Sequence, residues 1–475
     1  MVALKRSTLV IGVILVTIIG SVVYLELRPQ EEVYTPKLEN IITLENIIIL
    51  HTNDSHGYLL PEGDTGGFAY IASIVDNERE QHPGMVLLLD AGDIVDGDPI
   101  GDMFYGKSTV DVMNTIGYDA MTVGNHDLGK YGIKEGHGAI SIENDFLMDL
   151  KENAEFPLLA ANVLINGSSP FPSYVIEEIG GVRIGIIGVT TWFPPPENVE
   201  ILDPATVAYN CVKEIENDVD IIIALTHLGL WADKPFASVV KGIDIIIGGH
   251  SHTVMWEPEN VGGTMIVQAG EHGDYVGRIQ LEYDVENHEI KNFSYELIEV
   301  KHPPLEEDEE IAALVEHYDN IISPIVDAEI GYTEHGLSLS ETGKAIAESY
   351  ILKTGADIGF QNSGGVRADI PAGSITIRQV YEVDPFGNNL MSMDLRGDYL
   401  KGELAYGYVA GAYRVGGEWY LTGGELIKNN EYYRVATNDY EGTRYEFVHG
   451  ENIAYHGLTT DAEIEYLKET YPPRP

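Results

Sequence analysis

Short, almost purely apolar runs bounded by Gly, Asp or Pro recur along the chain: Asn46–Leu50, Met85–Leu89, Arg183–Val189, Asp220–Leu225 and Ile243–Ile247. Runs of this kind, apolar at successive positions instead of alternate ones, predict strands buried on both faces. Helical spacing of apolar residues falls between several of them, as in Gly67–Glu80 and Ser108–Thr115. Strands alternating with helices imply an α/β layered domain over residues 46–300. Residues 301–327 open with two prolines and an acidic run, then carry apolar residues at helical spacing as far as Pro324, which predicts a connecting helix. Residues 328–475 have a further helix at Thr342–Lys353, strands and Gly-rich turns, and are long enough for a second core.

The chain's start has a different pattern. Lys5 and Arg6 precede an apolar stretch from Leu9 to Leu25, and Glu26, Arg28 and Pro29 follow. Residues 1–27 therefore read as a signal peptide or signal anchor, with the lack of a small-x-small cleavage site favouring an anchor. The basic residues would stay inside and the rest would face outward, on the cell surface or secreted. Polar residues 28–45 read as a linker.

Charge and cysteine count narrow the chemistry. With 28 basic and 76 acidic residues the formal charge is -48, which excludes nucleic acid as a partner. A single cysteine, Cys211, excludes a disulfide framework and a cysteine-rich zinc site. Any metal must be held by nitrogen and oxygen.

Such ligands follow the strands. Asp54 and His56 come two apart in His51–Gly57, so an extended segment would point both the same way. Gly92 permits a tight turn that aims Asp93 off the second strand, either to bridge two cations or to cap the next helix. Asn125 offers an amide oxygen to metal and His126 a donor to a phosphoryl group, with an Asx-turn as the alternative. His227 follows another strand, and His250 and His252 follow Gly248-Gly249. Each segment lies past the C-terminal end of a predicted strand, where open α/β sheets carry their ligand sites. Seven N/O ligands suit two borderline divalent metals such as zinc, manganese, iron or cobalt. Two cations about 3.5–4 Å apart can clamp a phosphoryl oxygen and activate a water as hydroxide.

These motifs, LHTNDSHG (Leu50–Gly57), LDAGD (Leu89–Asp93), YDAMTVGNHD (Tyr118–Asp127), THLG (Thr226–Gly229) and GGHSH (Gly248–His252), resemble those of the 5'-nucleotidase family. The resemblance implies a calcineurin-like phosphoesterase domain, a β-sandwich flanked by helices, followed by a smaller α/β substrate-binding domain. It implies that Asp54, His56 and His252 bind one metal, that Asn125, His227 and His250 bind the other, and that Asp93 bridges them. His126 would stabilise the phosphoryl charge or protonate the leaving group. QNSGGVRADIPAG (Gln361–Gly373) and VDPFGNNL (Val383–Leu390) are similar to the family's nucleotide-binding segments. Asn362 and Arg367 would then contact substrate, Gly364 and Gly365 would let backbone approach an anion, Phe386 would stack on a base, and Tyr440 could stack from the other side.

Three departures stand out. The family's GNHEFD carries an Asp that orients the catalytic His; here that place is Gly129, which leaves Asp127 as a candidate substitute. The family's phosphate-binding arginines before the second domain's first helix have no counterpart in Ile330–Gly343, and its second aromatic and Gly-Gly-Asp-Gly turn become Asn438–Tyr445. The expected reaction is hydrolysis of 5'-nucleotides to nucleoside and phosphate. The alternatives are another phosphoester, a nucleotide sugar, or a non-catalytic surface binding protein on the same fold.

Overall fold

The computed structural model describes residues 44–129, 146–193, 195 and 198–474. The expected anchor, residues 1–27, lies outside the described residues. So does nearly all of the expected linker, and the first strand already starts at Leu44. Among the described residues no helix is long and apolar enough to cross a membrane.

The apolar runs form two six-stranded sheets. In the first, Leu44–Thr52, Val86–Asp90, Ala120–Thr122 and Leu158–Leu159 run parallel, with Tyr275–Asp284 and Glu289–Glu299 antiparallel at one side. In the second, Val182–Thr190, Ile221–His227, Ile245–Gly248 and Thr264–Val267 run parallel. The Gly-rich stretch from Gly181 to Gly188 therefore lies largely within a strand.

The sheets pack face to face. Ile47, Ile49, Leu87 and Leu89 of one meet Ile184, Ile221, Ile223 and Ile245 of the other, all fully buried. Alternate residues turn outward under helices: Ile48, Leu50 and Leu88 pack with the helix Phe68–Gln81, and Ile187, Ile222 and Ile246 with Pro204–Ile215 and Leu230–Val239. Both faces of each central strand are thus apolar, which is why the sequence lacks a two-residue alternation. Truncating one such residue, Ile223→Ala, would cost about 2–5 kcal/mol.

The helix Glu309–Val326 starts at Asp308, whose carboxylate accepts the Ile311 N–H at 2.9 Å. It buries Ile311, Val315, Tyr318, Ile322 and Val326 against the same helical layer as Phe68 and Val110, so it is part of that core. Contrary to the pattern read from sequence, it continues through Pro324 to Val326. A proline in the final turn removes one hydrogen bond close to where the ladder ends in any case. Arg378 then bridges Asp319 and Asp327, at 2.8 and 2.6 Å, tying this helix to Ile377–Val383.

The last part of the chain builds a five-stranded sheet in the order Gly407–Ala410, Ile358–Asn362, Tyr432–Asn438, Asn389–Arg396 and Glu451–Leu458. Leu339–Thr354 and Thr459–Thr470 cover it with a core of Ile346, Tyr350, Val380 and Leu390.

Candidate metal centre

The parallel strands end in register: Thr52 lies beside Asp90, Asp90 beside Met121, and Gly248 beside Thr226. The residues just beyond them converge. Ligand atoms of Asp54, His56 and His252 lie within 4.8 Å of one another, and so do those of Asp93, His227 and His250. His252 Nε2 is 3.3 Å from Asp54 Oδ1 and 3.3 Å from His56 Nε2. Asp54 Oδ1 also lies 3.9 Å from His227 Nε2, which joins the two clusters.

Convergence does not come from extended backbone, as the spacing alone predicts. Asp54, His56, Asp93, His250 and His252 all have φ between 48° and 74°, the left-handed region. Each costs roughly 1–3 kcal/mol relative to a relaxed conformation. Sharp turns directly after the strands aim these side chains inward, and Gly92, at φ 87°, makes one of them where a Cβ would sit 2.7 Å from Gly124 N. The turns are braced: Asp54 accepts the His250 N–H, and Asn53 ties to Ala269 and Gly270.

The donor set fits metal. His56 Nδ1–H donates to the Val95 carbonyl at 2.9 Å, His227 Nδ1–H to the Ala91 carbonyl at 2.7 Å, and His252 Nδ1–H to Glu271. Each bond engages Nδ1 and turns Nε2 toward the centre, where it offers a lone pair once it is deprotonated, the arrangement metal-binding histidines need. His227 Nε2 pairs with Asp93 Oδ2 at 2.9 Å, two buried ligand atoms close enough to share a cation. Asn125 Oδ1 is buried with no partner.

The electrostatics reflect this crowding. Burial disfavours charge on Asp93, but His227, His126 and His56 around it outweigh that and hold its carboxyl well below the usual range. Burial also opposes charge on His227, which Asp93 and Asp54 nevertheless push up to about 10. His250, desolvated and beside His227, falls to about 4.

A cavity of 240 Å³ opens onto the centre, lined by His56, His126 and His252 on one side and Arg367 and Phe386 on the other. A second, of 780 Å³, shares His126 and Phe386 and extends past Asn125 and His250 to Tyr440 and Arg444. The structure therefore places Arg367 and Phe386 on one cavity with His56 and His252, and Phe386 and Tyr440 on another with Asn125 and His250.

Residues 47–254 match the calcineurin-like phosphoesterase family and residues 328–417 the C-terminal domain of 5'-nucleotidase. Protein UshA of Yersinia enterocolitica is 30% identical over 76% of this chain and 76% of its own. The chain belongs to the 5'-nucleotidase family. The trifunctional nucleotide phosphoesterase YfkN of Bacillus subtilis is 30% identical over 90% of this chain, which spans only 34% of that longer protein. The 5'-nucleotidase precursor of Thermus thermophilus, a solved structure, is 26% identical, with a TM-score of 0.75 over 90% of this chain and 97% of its own.

Against this family's pattern, one expectation needs correcting. Asp127 does not reach the His126 ring: its buried carboxylate accepts the backbone N–H groups of Asp93, Ile94 and Gly124 at 2.9–3.0 Å. Two places after Asn125 on a helical turn, it faces back under the Asp93 loop. The carboxylate at His126 is instead Asp96, whose Oδ2 lies 3.0 Å from His126 Nδ1. Asn362, Gly364 and Gly365 are not among the described residues lining either cavity. Asn362 Oδ1 accepts from Asn438, and Gly365 is small because a Cβ would meet Gln361 Nε2 at 2.5 Å, so this turn is braced internally.

Sequence reasoning also missed Glu271, His272, Tyr58 and Arg444. Glu271 and His272 follow the strand Thr264–Val267 as the other ligands follow theirs, a signal that could have found them. His272 stacks on Tyr58 at 3.8 Å, and the Arg444 guanidinium lies 3.8 Å over the Tyr440 ring.

Proposed function

We propose that this chain is an extracytoplasmic phosphoesterase that hydrolyses 5'-nucleotides to nucleoside and phosphate with two divalent cations. One observation carries the reading: a cavity lined by His56 and His252 of one ligand cluster is also lined by an arginine and an aromatic ring from the other half of the chain, and the second cluster adjoins the first, His227 lying 3.9 Å from Asp54. Asp54, His56 and His252 would hold one cation and Asn125, His227 and His250 the other, with Asp93 between them. When bound, the cations supply Lewis acidity and acidify a water. Arg367 would grip the phosphate with its planar donor pair, and Phe386 and Tyr440 would take the base. Water adds to phosphorus, the bond from phosphorus to the nucleoside oxygen breaks, and that oxygen takes a proton, for which His126 is the donor within reach of both cavities. The outward location rests on the apolar run at Leu9–Leu25.

A second substrate class, a nucleotide sugar or another phosphoester, is favoured by one observation. Arg444 covers a face of Tyr440, which gives the far end of the larger cavity a cation where a base would need an open ring. Phosphate release by the purified protein with added manganese or zinc, across nucleoside mono- and diphosphates, a nucleotide sugar and an aryl phosphate, tests both readings. Metal-dependent release from nucleoside monophosphates that disappears in Asp93→Asn is the expected result. Release from the aryl phosphate alone would remove the nucleotide pocket, and no release at all would leave a binding protein.

A further inference from the structure

Two carboxyl groups in the second half of the chain are buried together, away from the metal centre. Asp384 ends the helix Ile377–Val383 and Glu463 lies on Thr459–Thr470; they are 0% and 4% exposed. Their side chains are within hydrogen-bond reach of each other, yet Asp384 Oδ1 and Glu463 Oε1 meet no donor. Carboxylates only accept, so the donor missing between two of them is a proton on one. Beside them a cavity of 10 Å³, lined by Glu463, Val383 and Tyr466, is no larger than one water needs, so bulk solvent does not screen the pair.

The proton belongs on Glu463. Asp384 Oδ2 already accepts the Thr459 hydroxyl at 2.7 Å, and the Phe386 N–H faces the same carboxylate. Donors on Asp384 favour its charged form, and Glu463, facing that charge, stays neutral. Burial, and after it the Asp384 charge, lifts the Glu463 carboxyl well above the usual range. Burial raises Asp384 too, but the hydrogen bonds from Thr459, Glu463 and Phe386 oppose it. The titratable groups facing the pair are Tyr350 on Leu339–Thr354 and Asp439 beyond Tyr432–Asn438, and neither brings a positive charge. Nearby, Arg378 is paired with Asp319 and Asp327, Lys353 with Glu465, and His456 with Ser392.

This pair fastens the turn that meets the substrate cavities. Thr459, four residues before Glu463 and so on the same helix face, donates its N–H to the Asn388 carbonyl at 3.0 Å. Asp384 and Asn388, on either side of Phe386, are therefore tied to one helix. The Arg367 N–H donates to the Val383 carbonyl at 2.9 Å, so the same turn places Arg367. Without the shared proton two buried carboxylates would repel and part the turn from the helix.

We propose that Glu463 and Asp384 form a carboxyl–carboxylate pair that fastens the Phe386 turn to the last helix, which makes Glu463 the positioning residue for Arg367 and Phe386. The inference deepens the phosphoesterase reading and rests on it for the effect on substrate, though the fastening itself does not.

Hydrogen exchange read by mass spectrometry on the full-length protein tests the fastening, and steady-state kinetics with manganese tests its effect. Glu463→Met keeps the length of the side chain and removes the donor; Glu463→Gln keeps a donor that cannot ionise. In Glu463→Met, peptides covering residues 383–388 should exchange at least about tenfold faster than in the wild type, while those covering Ile221–His227 stay unchanged. KM for adenosine 5'-monophosphate should rise roughly 10- to 100-fold with kcat within about threefold, and Glu463→Gln should bring exchange and KM back to within about threefold of wild type. Unchanged exchange in Glu463→Met would overturn the fastening, and faster exchange with wild-type KM would overturn the positioning role. Glu463→Gln as impaired as Glu463→Met would overturn the shared hydrogen bond. Raising the pH from about 7 to about 10 should raise KM in the wild type, as Glu463 loses its proton, and leave it flat in Glu463→Gln. That comparison decides the matter if Glu463→Met does not fold, and the same profile in both proteins would overturn the proposal. A wild type that releases no phosphate from any substrate would sink the phosphoesterase reading alone, because exchange would still decide the fastening.

Discussion

The guanidinium carbon of Arg367 lies 5.1 Å from the centre of the Phe386 ring, across the mouth of the cavity that reaches His56 and His252. The two residues come from different turns, and the Arg367 N–H donates to the Val383 carbonyl at 2.9 Å, which holds one turn against the other. A cation over an exposed ring is worth about 0.5–1 kcal/mol, less than the roughly 1.5–3 kcal/mol of a charged hydrogen bond. A phosphate in the cavity should therefore draw Arg367 off the ring and free that face for a base.

That competition predicts a specific kinetic pattern. Arg367→Ala should lower kcat/KM for nucleoside monophosphates by roughly 10- to 100-fold, and Phe386→Ala should raise KM for nucleotides while leaving an aryl phosphate within about threefold. Equal losses on both substrates in Phe386→Ala would show that the ring shapes the cavity and does not bind a base.

Glu271 is predicted to act through His252. It accepts the Nδ1–H of that histidine, and in return its own carboxyl is drawn down to about 2 in spite of its burial. Glu271→Gln should weaken metal binding by roughly 10- to 100-fold, as loss of such a partner does elsewhere, and excess metal should restore turnover. Competition with a chelator of known affinity measures this. Unchanged affinity would leave Glu271 a structural role only.

Metal binding should release protons. In the metal-free protein, against burial, Asp93 and Asp54 lift His227 to about 10, and Asp54 and Glu271 lift His252 to about 10, so both are charged at pH 7. Each must deprotonate to bind a cation, so affinity should fall as pH falls, by up to about tenfold per pH unit for each proton displaced. The sign for stability of the metal-free protein is opposite. A raised histidine contributes fully below its unfolded value of about 6.5 and loses that contribution as pH rises towards about 10. Calorimetric titration of metal in buffers of different ionisation heat reads the proton release directly, and a heat independent of buffer would refute it.

Asp90 should make the protein less stable as pH rises. Burial lifts its carboxyl to about 8 against hydrogen bonds from Thr52 Oγ1 and Gly92 N–H. Between the unfolded value of 3.8 and about 8 the folded state holds a proton that the unfolded chain has lost, so stability falls with pH across that window. Asp90→Asn removes the titration, and its amide can donate to Thr52 while its oxygen still accepts from Gly92. Its stability relative to wild type should rise by on the order of 1–3 kcal/mol between pH 5 and pH 8. Urea denaturation at those two pH values tests this, and parallel pH dependence in the two proteins would contradict it.

The sequence by itself determined the strands and the seven residues that converge beyond them. Each signal is local: an apolar run such as Asn46–Leu50 must be buried on both faces, and an Asp or His placed just after it must lie at the sheet's C-terminal edge. Sequence also supplied Arg367 and Phe386, through motifs whose glycines and aromatics are contiguous. It misjudged how the ligands converge, because left-handed turns at Asp54, His56 and Asp93 are selected by long-range bracing and not by local preference. Tertiary structure alone decided that Asp96 and not Asp127 meets His126. Those two carboxylates lie 30 residues apart from His126 in one case and adjacent in the other, and on a helical turn adjacent side chains diverge. Only the closure of the Asp93–Asp98 loop on His56 carries the distant one across. The same reason hid the pairing of Glu271 with His252, which follow separate strands and meet only where their loops pack.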